Sequence, residues 1–109
     1  MREMTLREVC NRIGITRRTV QGYEQAGMVS PSGKNKYGYL LYGQKEIEKI
    51  EMIKQYQDFG FSIKEIKELL NSSEEIYLEM MRDRLEKMKE EQFKLEKNIS
   101  IIQKMLKGS

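Results

Sequence analysis

Histidine is absent from this 109-residue chain, and cysteine occurs once, at Cys10. The first absence removes the commonest general base and the commonest neutral metal ligand. The second excludes an intramolecular disulfide, and a lone cysteine between Val9 and Asn11 is expected to be a small core residue rather than a redox switch. No phosphate-cradling glycine loop and no converging set of carboxylates is evident, so the sequence predicts no enzyme, no metal site and no cofactor. There is no long apolar run and no signal-peptide pattern, which predicts a cytoplasmic chain with no membrane partner. Proline is nearly absent as well: Pro31 stands alone, between two stretches of different character.

What is present is helix-forming and charged. Charged residues make up 34% of the chain and apolar ones 39%, a balance that suits exposed helix around a limited core. The net charge of +3 is unevenly placed. Residues 1–42 hold Arg2, Arg7, Arg12, Arg17, Arg18, Lys34 and Lys36 against only Glu3, Glu8 and Glu24, whereas the rest of the chain is close to neutral. Positive charge gathered at one end suits phosphate neutralisation.

Local signals divide this basic end into short elements. Thr5-Leu6-Arg7-Glu8 is a capping box, and Leu6, Val9, Cys10 and Ile13 follow at helical spacing before Gly14 stops the helix. Thr16 is a second N-cap candidate. It opens a helix over Arg17–Ala26 whose inward residues are Val20 and Tyr23, and Gly27 ends it. Helix, tight glycine turn and helix within about 22 residues outline a helix-turn-helix. Beyond the Ser30–Gly33 loop, Tyr37–Tyr42 is short and rich in β-formers. We expect a strand there, paired with Met28-Val29 in a small hairpin, with Lys34, Asn35 and Lys36 near its tip.

Two more helices follow. Gln44–Phe59 carries Ile47, Ile50, Met52, Ile53 and Tyr56 on its apolar side and stops at Gly60. Ser62-Ile63-Lys64-Glu65 is another capping box, leading into Ile66, Leu69 and Leu70, and Ser72-Ser73-Glu74-Glu75 reads as a third. From there to Lys107 neither proline nor glycine interrupts the chain. Leu78, Met81, Leu85, Met88, Gln92, Leu95, Ile99, Ile102 and Leu106 recur at alternating steps of three and four. This heptad seam predicts a coiled coil about 43 Å long. An antiparallel pairing of two copies works with its centre near residue 90 or between Phe93 and Lys94, and Gln92 is a candidate register-setting residue.

Taken in order, Ile15–Glu24, Gly27–Pro31, Gly38–Tyr42 and Phe59–Ile66 resemble the MerR family of transcriptional regulators over roughly residues 4–71. The resemblance implies a mainly α fold: a winged helix-turn-helix DNA-binding domain with a small β-hairpin wing over residues 1–71, then a long antiparallel coiled-coil dimerisation helix over 72–107. It implies a homodimer that binds double-stranded DNA at a pseudo-palindromic promoter site, distorts it, and acts beside RNA polymerase. The chain departs from the family pattern where "RYYE" reads Gln21-Gly22-Tyr23-Glu24, and where "GYRLY" reads Gly38-Tyr39-Leu40-Leu41-Tyr42 with leucine for arginine. Because the chain ends soon after the seam, no effector domain is expected.

The DNA-contact candidates are Thr16, Arg17, Arg18, Thr19, Gln21 and Tyr23 in the second helix. Arginine donates in pairs to guanine and glutamine to adenine, and both belong at the start of such a helix. In the wing the candidates are Lys34, Lys36, Tyr37 and Tyr39, with Tyr42 the better core residue. Ser62 and Lys64, at a helix N-terminus, complete the set. Two other readings share these features: an architectural or excisionase-like DNA-binding protein, and a coiled-coil protein-interaction adaptor.

Overall fold

The computed structural model describes residues 3–108; Met1, Arg2 and Ser109 lie outside the described residues. The chain divides into two compact units, Met1–Glu68 and Leu69–Ser109. In order along the chain it forms β1 (Met4–Thr5), α1 (Leu6–Ile13), α2 (Arg17–Gln25), β2 (Gly33–Lys34), β3 (Leu40–Tyr42), α3 (Gln44–Asp58), α4 (Ile63–Asn71) and α5 (Glu74–Lys107).

In the first unit, the helix boundaries follow the local chemistry. Thr5 Oγ1 accepts from the Glu8 amide at 3.3 Å, and the Glu8 carboxylate accepts from the Thr5 amide at 3.1 Å. This reciprocal box satisfies two amides that α1 leaves unpaired at its start. Gly14 closes α1 in the left-handed conformation at φ 80°, where a Cβ would be strained, and its amide returns to the Cys10 carbonyl. The turn Gly14–Thr16 then leads directly into α2.

The apolar faces meet in one core. Val9, Val20, Tyr23, Tyr42, Ile47, Ile50, Ile53 and Ile66 are all essentially excluded from solvent. Each such side chain contributes roughly 1.5–3 kcal/mol on burial. Tyr56 packs edge-on against Phe59 and Phe61, with ring centroids 6.3 and 6.4 Å away.

The sheet differs from the sequence expectation. It has three strands in the order β1-β3-β2, antiparallel throughout. The central strand β3 pairs with Gly33-Lys34 on one side and with Met4-Thr5 on the other; Met28-Val29 is not its partner. Met28 and Val29 are buried core residues instead, consistent with their apolar character. The strand is also shorter than expected, because Tyr37 and Gly38 belong to the turn, where Gly38 takes φ 83°. In α3, Met52 is an exposed residue rather than part of the apolar side.

In the second unit, α5 starts from Ser73, not from a Ser72–Glu75 box. Ser73 Oγ accepts from the Ile76 amide at 3.3 Å, while the Ser72 hydroxyl turns back to the Leu69 carbonyl at 3.0 Å. The N3 residue is therefore isoleucine, which has no carboxylate to reciprocate. Acids Glu74 and Glu75 in the first turn and Lys104 and Lys107 in the last complement the helix dipole. No residue of this 34-residue helix is buried.

Candidate nucleic-acid interface

Burial and exposure divide α2 cleanly. Val20 and Tyr23 point into the core, three residues apart on one face. Thr16, Arg17, Arg18 and Gln21 are exposed, and Thr19 is half-buried. Thr16 caps the helix: its Oγ1 accepts from the Thr19 amide at 3.1 Å and lies 2.9 Å from the Thr19 hydroxyl. There is no acid in the first turn. No ion pair to Arg17 or Arg18 is formed among the described residues. Two uncompensated guanidiniums thus flank the positive end of a helix dipole, an arrangement that attracts anions.

Tyr23 does not join this exposed set. It is a core residue whose hydroxyl donates to Gln57 Oε1 of α3 at 2.6 Å. Burial, with a smaller effect from Asp58, pushes its phenol above the ordinary value. The bond to Gln57 ties α2 to α3. One residue further along α2, Glu24 accepts a hydrogen bond from the Tyr42 hydroxyl of β3. Tyr42 is fully buried, in agreement with its expected core role, and burial followed by the Glu24 hydrogen bond drives its phenol pKa strongly upward. Cys10 is also a core residue. Burial raises its thiol pKa, and the Arg17 charge offsets this only in part, so the group stays a thiol at neutral pH.

The wing presents Lys34, Lys36, Tyr37 and Tyr39 to solvent, with Tyr37 and Tyr39 exposed to 72% and 63%. The Lys36 ammonium lies 5.1 Å from the centre of the Tyr37 ring, within cation–π range. Asn35 organises this tip, a role that nothing in the sequence pattern singles out. Its side-chain Oδ1 accepts from the amides of both Tyr37 and Tyr39, at 2.9 and 3.0 Å.

At the start of α4, Ser62 and Lys64 are exposed. Ser62 and Glu65 form the expected reciprocal box, with the Ser62 amide donating to Glu65 at 2.9 Å and the Glu65 amide to Ser62 Oγ at 3.1 Å. Those two amides are therefore taken up internally, and Lys64 is the remaining cationic group there.

Along α5 the heptad seam is open. Apart from half-buried Met81, its apolar members range from 39% exposed at Leu78 to 73% at Leu106, and Gln92 is exposed. The apolar members form a continuous stripe along one face of the helix. Among the described residues, no helix is long and apolar enough to cross a membrane and no group of side chains has metal-ligand geometry.

A capped helix-turn-helix, a basic three-stranded wing and a long C-terminal helix with an open heptad seam define a winged helix-turn-helix regulator. Residues 4–73 match the model of the MerR helix-turn-helix family of regulatory proteins, and residues 47–105 match that of the MerR DNA-binding region. The chain belongs to the MerR family, a family of regulators rather than enzymes. It is 31% identical over 67 residues to heavy metal-dependent transcription regulator 2 of Rhizobium meliloti, which covers 62% of this chain and 46% of that protein. It is likewise 31% identical over 68 residues to the regulator CueR of Salmonella typhi, covering 62% of this chain and 49% of the relative. The chain thus spans about half the length of the curated relatives it matches. Among solved structures, a MerR-family transcriptional regulator from Bacillus cereus superposes with a TM-score of 0.79 at 23% identity, over 97% of this chain and 81% of that one. HiNmlR, a MerR-family regulator that lacks the sensor domain and was solved bound to promoter DNA, superposes at 0.74 with 20% identity, over 96% and 88%. These likenesses establish the fold.

Proposed function

We propose that this chain is a transcription regulator that binds double-stranded DNA as a homodimer. The observation that carries the reading is the exposure of Arg17, Arg18 and Gln21 at the start of α2, opposite the buried Val20 and Tyr23. A helix held by one face and offering guanidinium and amide groups on the other suits the major groove, where such groups distinguish guanine and adenine edges. Thr16 and Thr19 at the cap, and Lys34, Lys36, Tyr37, Tyr39, Ser62 and Lys64 outside α2, supply contacts to the phosphate backbone and fix orientation.

In this reading residues 1–71 hold the DNA and residues 72–107 pair two copies. Antiparallel pairing along Leu78, Met81, Leu85, Met88, Gln92, Leu95, Ile99, Ile102 and Leu106 covers the open seam of α5. Two DNA-binding units related by a two-fold axis require a pseudo-palindromic site. Family membership supports a promoter as that site, DNA distortion between the half-sites, and RNA polymerase as the neighbouring partner.

Selection of bound DNA from a random duplex pool tests the proposal, with an Arg17→Ala/Arg18→Ala variant alongside. The wild-type chain enriches a palindrome and the variant does not. Equal enrichment by both would remove the two arginines from the interface, and no enrichment by the wild type would overturn sequence-specific binding.

A further inference from the structure

We infer that Asn35 is a positioning residue for the wing: it shapes the tip that presents Lys36, Tyr37 and Tyr39 to DNA without itself touching the duplex. The inference rests on the DNA-binding reading above and deepens it.

Four hydrogen bonds converge on this one residue. Its Oδ1 accepts from the amides of Tyr37 and Tyr39, its own amide donates to the Tyr39 carbonyl at 3.0 Å, and its carbonyl accepts from the Gly38 amide at 3.0 Å. The two β-strands beneath the tip are only two and three residues long, so their ladder alone holds it weakly. A single side-chain oxygen therefore takes the place of the missing rungs. Asparagine is suited to this, because its short side chain reaches the amides of the following residues. Gly38 complements it by adopting a φ of 83° with open space around its Cα.

The consequence concerns the groups carried by the turn. Lys36 and Tyr37 stand at its apex, both exposed, with the ammonium over the ring. Long lysine and tyrosine side chains on a loose loop lose conformational freedom on binding; on a fixed turn much of that loss is already incurred in the free protein. Asn35 itself is half-buried by the turn, and its side-chain oxygen is committed inward.

The test compares wild type, Asn35→Ala, Lys36→Ala and the double variant for binding to a labelled, mixed-sequence 40-bp duplex pool over a range of salt concentrations. Asn35→Ala lowers affinity by about fivefold or more, the size of one modest polar interaction. It also flattens the log–log salt dependence by about 0.9 for each phosphate that the wing no longer engages. The double variant binds no worse than the weaker single variant, since Lys36 on a loosened turn has already lost its contact. Thermal unfolding stays within a few degrees of wild type, and amide exchange accelerates at Tyr37 and Tyr39. Asn35→Asp, which keeps the accepting oxygen, restores protection of those two amides. An unchanged affinity and slope in Asn35→Ala, or additive losses in the double variant, would overturn the positioning role while leaving DNA binding intact. Absence of salt-dependent binding by the wild type would overturn both.

Discussion

The hydroxyl of Tyr42 donates to the carboxylate of Glu24, so the central strand of the wing is bonded to the helix that carries Arg17 and Arg18. That helix is held a second time through Tyr23 and Gln57 of α3. Two phenols, one on the helix and one facing it, therefore set its position with directional bonds in addition to apolar packing.

Removing one of these bonds should leave a folded but weaker protein. Tyr42→Phe keeps the buried ring and deletes the donor, which costs about 1 kcal/mol, and somewhat more because Glu24 is half-buried and loses a partner. Thermal unfolding measures this as a drop of several degrees in Tm. A Tm equal to wild type would mean that the Glu24 carboxylate is as well satisfied by water.

The same phenols make stability depend on alkaline pH. Both Tyr23 and Tyr42 have pKa values raised above the ordinary 10.0 by burial, so the folded state keeps their protons more tightly than the unfolded chain does. Their contribution is fully present below pH 10 and is lost as pH rises from there toward the folded values. Urea midpoints should fall between about pH 10 and 12 in the wild type. The fall should be shallower in Tyr23→Phe/Tyr42→Phe, which has neither group to titrate.

Thr16 allows capping and DNA binding to be separated. Thr16→Ala removes the acceptor for the Thr19 amide and should cost about 1 kcal/mol. Thr16→Asp restores the cap and favours the helix dipole, so Tm returns to the wild-type value. Its negative charge faces the phosphates in the proposed complex, and DNA affinity should fall nonetheless. Equal affinity of Thr16→Asp and wild type would place the start of α2 away from the DNA backbone.

Leu95→Glu tests the seam of α5. Leu95 is 62% exposed on the chain alone and would be buried by the proposed pairing. Losing its burial in both copies costs the pairing about 3–6 kcal/mol. Analytical ultracentrifugation should show wild-type dimer and variant monomer at micromolar concentration, with little change in helix content of the first unit. A dimeric Leu95→Glu would remove the heptad seam from the interface.

The sequence was most legible where one or two neighbouring residues decide the structure. Thr5 with Glu8, Ser62 with Glu65, the cap at Thr16 and the stop at Gly14 all bond within a few residues, and each lies where the pattern predicts. The apolar faces of α1 and α2 were equally readable, as was the unbroken α5. The sheet was not. Strands of two residues carry no alternation to read, and Met4-Thr5 finds its partner at Leu41 and Tyr42 only through the folding of everything between. The same distance hid the role of Gln57, which lies 34 residues from Tyr23. A tyrosine on a basic helix has both an apolar body and a polar tip, so the pattern makes Tyr23 an inward residue and a DNA-contact candidate at once. The structure turns the body inward and satisfies the tip with Gln57. Asn35 carries no signal of its own, because asparagine in a turn is ordinary until its two amide partners are known.

Thr5 belongs to two elements at once: it pairs with Leu41 as the last residue of β1, and its side chain caps α1. Strand and helix share a residue with no spare chain between them. Adding or deleting one residue at this junction would force the segment to give up either its place in the sheet or its cap. Relatives of different length should therefore accommodate the difference elsewhere and keep the spacing from Met4 to Glu8 constant.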